Sequence, residues 1–188
     1  GANSFAQMSG GGSTAGAFLR IPAQARVLSL GEAMTASADD LNALYMNPAG
    51  LSYLTYWGAS YTFAKFINAT QGKVIFAANY PIKTPFGSVS PAVGLRLFQT
   101  GFDGGEATDS FGNPMAGPSF NQTSLAIAVG AGFNLTKVMK GFRAGLTFNI
   151  LSESFGPNLP SQKTVGFDIG LMYDLPVVFH IQKKDRFI

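Results

Sequence analysis

Between residues 57 and 171 the side chains alternate, bulky then small, in six separate runs, and this period of two restricts the fold more than any other property of the chain. In the first run Trp57, Ala59, Tyr61 and Phe63 oppose Gly58, Ser60 and Thr62. In the second Val74, Phe76, Ala78 and Tyr80 oppose Ile75, Ala77 and Asn79, and in the third Val89, Val93, Leu95 and Leu97 oppose Ser90, Gly94 and Arg96. Leu125, Ile127, Val129, Ala131 and Phe133 then oppose Ser124, Ala126, Ala128, Gly130 and Gly132. The last two runs set Phe142, Ala144, Leu146, Phe148 and Ile150 against Arg143, Gly145, Thr147 and Asn149, and Val165, Phe167, Ile169 and Leu171 against Thr164, Gly166, Asp168 and Gly170. An all-β, antiparallel fold is expected.

The contents of the two faces say which solvent each one meets. A soluble sandwich turns its bulky face inward and a charged face to water. Here the second face is mostly Gly, Ala, Ser and Thr, interrupted by single charges at Arg96, Arg143 and Asp168. Only 12% of the residues are charged, against roughly a quarter in ordinary soluble domains. A membrane barrel reverses the assignment, with the bulky face against lipid and the small polar face lining a lumen. Gly, Asn, Ser and Thr interrupt every apolar run well before the roughly 18 residues of a spanning helix, so strands must do the spanning. A net charge of +3 is too small to imply nucleic acid, and without cysteine there is no disulfide framework, thiol catalysis or cysteine zinc site.

The connections have the rhythm of a barrel. "IKTPFG" and "TKVMKG" are short, while "TGFDGGEATDSFGNPMAGPSFNQ" and "SESFGPNLPSQK" are long. Tight turns lie on the periplasmic side of such barrels and longer loops outside. The first strand then rises from the periplasmic side, and residues 1–50 begin there.

Those 50 residues follow a different grammar. Ser4-Phe5-Ala6 resembles the end of a signal cleavage site, and Gln7 to Gly16 reads as a flexible arm. Residues 17–36 show no sustained period and are expected to be irregular. Ser37 and Asp40 fit a capping box opening a helix through Tyr45. Asn47-Pro48-Ala49-Gly50 reads as its stop, with Gly50 free to take a positive φ, and alternation begins at Thr55.

The stretch "AGAFLRIPAQARVLSLGEAMTASADDLNALYMNPAGL" resembles the N-terminal region of the FadL-like outer-membrane proteins, most closely the PorV/PorQ branch, in its LRIP, LGEA, ADD and NPAGL elements. The likeness covers about residues 14–52, and beyond them extends only to the alternating strands. It implies a 14-stranded barrel with residues 1–50 folded inside as a hatch, marked by Asp39, Asp40, Asn47, Pro48, Ala49 and Gly50, and residues 51–188 as barrel wall. Six strands in 51–188 scale to a chain of about 370 residues for fourteen, which places eight further strands beyond Ile188. The resemblance also implies passage of fatty acids or other hydrophobic molecules across a bacterial outer membrane. For the PorV-like members it implies a non-transporting role as partner of secretion or surface proteins.

Pro91, inside the third strand, cannot donate to the ladder. A kink there resembles the inward break through which FadL-like barrels release substrate sideways; the alternative is a harmless proline at a bulge. Arg96, Arg143 and Asp168 face the lumen and are expected to pair with one another or with Asp39 and Asp40, gating the lumen or holding a carboxylate, unless they stand solvated. Asp103, Glu106 and Asp109 lack calcium-loop spacing, three Asn-X-Thr triplets at 68, 121 and 134 carry little weight, and "SGGGSTAG" lacks a phosphate loop's Lys. The one histidine, His180, has no metal or triad partner at suitable spacing. No catalytic residue, metal or cofactor is expected. The chain is expected to sit in outer-membrane lipid, and a soluble β-sandwich turned inside out is the remaining rival.

Overall fold

The computed structural model describes residue 19 and residues 24–65, 69–103, 106–117, 119–135, 139–155 and 161–174. The expected arm over 7–16, the cleavage remnant, His180, Asn68 and Thr136 lie outside these residues.

In chain order the elements are α1 (Ala25–Ser29), α2 (Ala43–Met46), a 3₁₀ helix (Pro48–Tyr53), β1 (Trp57–Lys65), β2 (Ala69–Asn79), β3 (Ile82–Thr84), β4 (Gly87–Asp103), β5 (Glu106–Thr108), β6 (Pro114–Ala116), β7 (Ser119–Leu135), β8 (Met139–Phe155) and β9 (Gln162–Tyr173). All pairings are antiparallel, in the order β1-β2-β4-β7-β8-β9, with β3 also on β4. The six expected strands are all present, and most run past their expected ends because alternation continues through polar residues. The long connection after β4 holds a hairpin of its own, β5 with β6. Between β7 and β8 the register shifts at Phe133/Asn134, where Gly141, at φ 80°, supplies the left-handed conformation of a bulge.

The two faces have opposite surroundings. Trp57, Val74, Phe76, Leu95, Ile127, Leu146, Phe167 and Ile169 on the bulky face are exposed, Trp57 by 73%. On the small face Ile75, Ala77, Ala92, Ala126 and Ala128 are buried, together with Ala38, Ala43, Leu44 and Leu51 from the N-terminal segment. The core therefore lies between the small face and residues 24–54. Aromatic pairs meet along the bulky face: Trp57 stacks on Phe76 at 6.4 Å, and Phe148 lies tilted against Phe167 at 5.1 Å.

The N-terminal segment departs from expectation. The helix expected from Ser37 through Tyr45 is only the four-residue α2, whose N-cap is Asn42. Asp40 does not cap it in the expected box. Its carboxylate accepts instead from the Asn42 backbone N–H at 2.7 Å and from Arg26, which holds the chain in a turn through residue 42. Residues 17–36, expected to be irregular, contain the five-residue α1. The first strand begins at Trp57, as its run of alternating side chains does, two residues after Thr55.

Candidate functional site

The site is the surface where residues 24–54 meet the small face. A row of small inward positions crosses four strands in register: Ala92, Gly130, Gly145 and Gly170. The 3₁₀ helix lies along this row. A Cβ on Gly145 would stand 2.6 Å from the Pro48 carbonyl oxygen and from the Ala49 nitrogen, one on Gly130 would stand 2.8 Å from the Pro48 oxygen, and one on Gly170 would stand 2.8 Å from Pro48 Cδ. These are backbone or ring atoms with little freedom to move aside, so only glycine admits Asn47-Pro48-Ala49 so close to the sheet.

Hydrogen bonds fasten the helix at both ends of the row. At the β9 end, Asn47 Nδ2 donates to Thr35 O at 3.2 Å and to Leu171 O at 3.4 Å, while Asn47 Oδ1 accepts from Ala49 N at 3.2 Å. At the β2 end, Asn79 Nδ2 donates to Ser52 O at 2.9 Å and to Leu54 O at 2.5 Å. Gly50 is needed for a reason the sequence did not give. Its φ is not positive, but the Ala38 backbone lies where its Cβ would be, with the Ala38 carbonyl carbon 2.9 Å away. Asn47 to Gly50 thus dock on the small face of the sheet.

The charged residues fall into three separate clusters. Asp39 and Asp40 both hold Arg26, Asp39 at 2.8 Å, and among the described residues neither meets a sheet arginine. The hydrogen bonds it donates to Asp40 and then to Asp39 hold the Arg26 guanidinium above its ordinary value. Arg143 turns to Asp174, just past β9, at 3.1 Å, donates to Ser52 O and Oγ at 3.2 and 2.9 Å, and lies 3.5 Å from the Tyr53 ring centre. Tyr53 OH donates to the same Asp174. Arg96 and Asp168 do come together, through Asn149: Arg96 donates to Asn149 Oδ1 at 2.8 Å, and Asn149 Nδ2 donates to Asp168 Oδ2 at 2.7 Å. Arg96 also reaches Ser124 Oγ and Leu44 O, both at 3.4 Å.

At Pro91, β4 continues without a break and pairs with β7 in unchanged register, Pro91 opposite Ala131. The interruption falls in the neighbouring strand. β2 ends at Asn79, opposite Ala92, and β3 resumes at Ile82, opposite Val89, in the same register. Tyr80 N still donates to Pro91 O at 3.1 Å. Pro81 and Pro91 each withhold an N–H, and the break settles on the strand side of Pro81.

Three side chains central to the site were not singled out from the sequence. Lys73 is 1% exposed, and its ammonium lies 4.1 Å from the Tyr45 ring centre and 5.2 Å from that of Phe98. Tyr45 also covers Arg96 at 5.3 Å, and its burial raises its phenol above the ordinary value. In the sequence Asn149 stands out only as a small-face residue. Lys73 shares the parity of Ile75, Ala77 and Asn79, so running the alternation back two residues would have placed it inward.

Beside these groups is a cavity of about 880 Å³. Leu19, Leu44, Tyr45 and Met46 line it on one side, and Arg96, Thr147, Asn149, Leu151 and Asp168 on the sheet side. It is an open cleft whose lining mixes apolar side chains with Glu32, Thr35, Asn47 and the polar groups of the sheet. Among the described residues no cluster of three or more His, Asp or Glu could hold a metal.

Comparison with protein-family models, with curated proteins and with solved structures found no match to the chain.

Proposed function

We propose that this sheet is part of the wall of a bacterial outer-membrane β-barrel, that residues 24–54 are a hatch inside its lumen, and that the protein passes hydrophobic small molecules such as fatty acids across the membrane. The observation that carries this reading is the inverted sheet, whose bulky apolar face is exposed while its small polar face is covered. The dimensions agree. Outward apolar side chains on β7 run from Leu125 to Phe133, about 27 Å along the strand at roughly 3.4 Å per residue. At the tilt of about 40° common to such barrels this makes a band roughly 21 Å tall, close to the ~25 Å of a membrane barrel. Above the band the outward positions turn polar at Gln99, Asn121 and Thr123. Below it exposed aromatics collect at Tyr80, Phe86 and Tyr173, as in an interfacial girdle.

An open sheet edge is not tolerated in lipid, so further strands, of this protein or another, must pair with β1 and β9. The cavity beside α2 is the route for the molecule, and the paired prolines Pro81 and Pro91 mark the place for a sideways exit.

A second reading makes the barrel a non-transporting platform for secretion or surface proteins. One observation favours it: the β5–β6 hairpin presents Phe111, 88% exposed, on a turn held by Asp109, which accepts from Phe111 N at 2.9 Å and Asn113 N at 2.8 Å. Uptake of a fluorescent fatty acid by cells carrying the full protein separates the two. Transport predicts that deleting residues 1–46 or making Pro91→Val changes uptake at unchanged surface level. Uptake indifferent to both, with a surface protein co-purifying on the barrel, favours the platform.

A further inference from the structure

The two halves of the segment covering the small face are held in opposite ways. Residues 47–54 are seated on glycines, and their polar contacts to the sheet are answered: Asn47 bonds Leu171 O, Asn79 bonds Ser52 O and Leu54 O, and Arg143 bonds Ser52, while one bond, from Asn47 Nδ2 to Thr35 O, crosses to the other half. There, among the described residues, Asn79 Oδ1 is the one buried side-chain atom left without a partner. Residues 24–46 bury Val27, Met34, Ala38, Ala43 and Leu44 and accept one bond from Arg96 at Leu44 O, but they cover the polar groups of the sheet at a cost. Beneath Tyr45 lies Lys73, 1% exposed, whose ammonium has no hydrogen-bond acceptor among the described residues. Arg96 Nε is likewise unanswered, and within the segment both amide atoms of the buried Gln24 are unpaired.

Buried polar atoms without partners oppose the burial that strands them, an ammonium most of all, and the ring contacts of Lys73 return only part of its lost hydration. Lifting residues 24–46 would let water reach these groups together. Residues 47–54 gain nothing comparable by leaving the glycine row, where their backbone already fits. The two parts join at Asn47, which has extended backbone between α2 and the 3₁₀ helix and can serve as the hinge.

We infer that residues 24–46 form a flap that opens separately while residues 47–54 stay docked, and that the buried Lys73 drives the opening. This rests on the reading of the segment as a hatch and specifies which part of it moves. Lys73 is a positioning residue whose unanswered charge keeps the closed state shallow.

The test uses the full chain in detergent micelles. The chain has no cysteine, so a single introduced thiol reports one place. Leu44 in the flap and Leu51 in the docked part are both buried, at 2% and 0% exposure, and Leu44→Cys and Leu51→Cys are each labelled with a maleimide. The flap predicts that the thiol at 44 reacts at least about tenfold faster than that at 51. It also predicts that adding Lys73→Met slows the thiol at 44 by about tenfold and leaves the thiol at 51 unchanged. Equal rates at the two positions overturn the separate flap. Faster labelling at 44 in Lys73→Met overturns the role of Lys73, because its contact with Tyr45 would then be a latch. If Lys73→Met unfolds the chain, seen as rapid labelling at both positions, Lys73→Gln decides by the same sign. Vesicle flotation of the same preparation tests the membrane reading separately, since the labelling ratio does not require lipid.

Discussion

Replacing Gly145 by Ala inserts one methyl group where the sheet and the 3₁₀ helix are in closest contact. The new Cβ would stand 2.6 Å from the Ala49 nitrogen and from the Pro48 oxygen, and ordinary contact begins near 3.4 Å, so the helix must lift by about 1 Å. Overpacking a close-packed site costs about 1–3 kcal/mol. The lift also stretches the Asn47 bond to Leu171 O, already 3.4 Å, beyond useful length, which removes roughly 0.5–1.5 kcal/mol. Against this, Ala in place of Gly within a strand returns about 0.5–1 kcal/mol. The net expectation is a loss of about 0.5–4 kcal/mol, read as a lower urea midpoint for unfolding from vesicles or micelles. Gly166→Ala is the control, because its Cβ would meet nothing nearer than 3.9 Å, and it should be neutral or slightly stabilising. Equal midpoints for the two variants would refute the docking of Asn47-Pro48-Ala49 on the glycine row.

Asn79→Ala removes both donors that fasten Ser52 O and Leu54 O, and a loss of about 1–3 kcal/mol is expected in the same unfolding assay. Ile127→Arg places a charge near the middle of the exposed apolar band and should cost about 2–4 kcal/mol of insertion, whereas Thr123→Arg at its polar border should cost about 0–1; a heat-modifiability gel after folding into vesicles ranks them. The hydrogen bonds from the Asn113 side chain, then its backbone N–H, hold the Asp109 carboxyl below its ordinary value of 3.8, so the hairpin's contribution is fully present above that pH and is lost as pH falls through the lower folded value. Pepsin cleavage at Phe111 should therefore rise only at the acid end of the enzyme's range, while Asp109→Ala should be cut throughout it.

How much of this was legible depends on where each residue gets its partners. Period two exposed all six long strands and both faces, because burial on one side of a pleat leaves a mark every second residue, as at Leu125 to Phe133. Strand ends were less legible: Gln99, Asn121 and Thr123 continue the ladder but change the solvent they face. Asn47 to Gly50 stood out as a boundary, since proline and glycine restrict the backbone locally. That Gly50 answers to Ala38, and Gly145 to Pro48, depends on approach between distant segments that no local signal records. Asp40 shows the converse. Its spacing from Ser37 suits a capping box, but Arg26 and Asn42 compete for the same carboxylate and shorten the helix. The parity of Arg96, Arg143 and Asp168 follows from the alternation, but their partners do not, since Arg143 finds Asp174 and Arg96 reaches Asp168 only through Asn149.

The central claim, that the bulky face meets lipid, can be read without labels from Trp57, the only tryptophan of the chain and 73% exposed on that face. The protein is folded into vesicles of phosphatidylcholine brominated on the acyl chains, and its fluorescence is compared with that in unbrominated vesicles and in aqueous iodide. A lipid-facing wall predicts strong quenching by the bromines and little by iodide. Quenching by iodide with no response to bromine would contradict it and return the sheet to water.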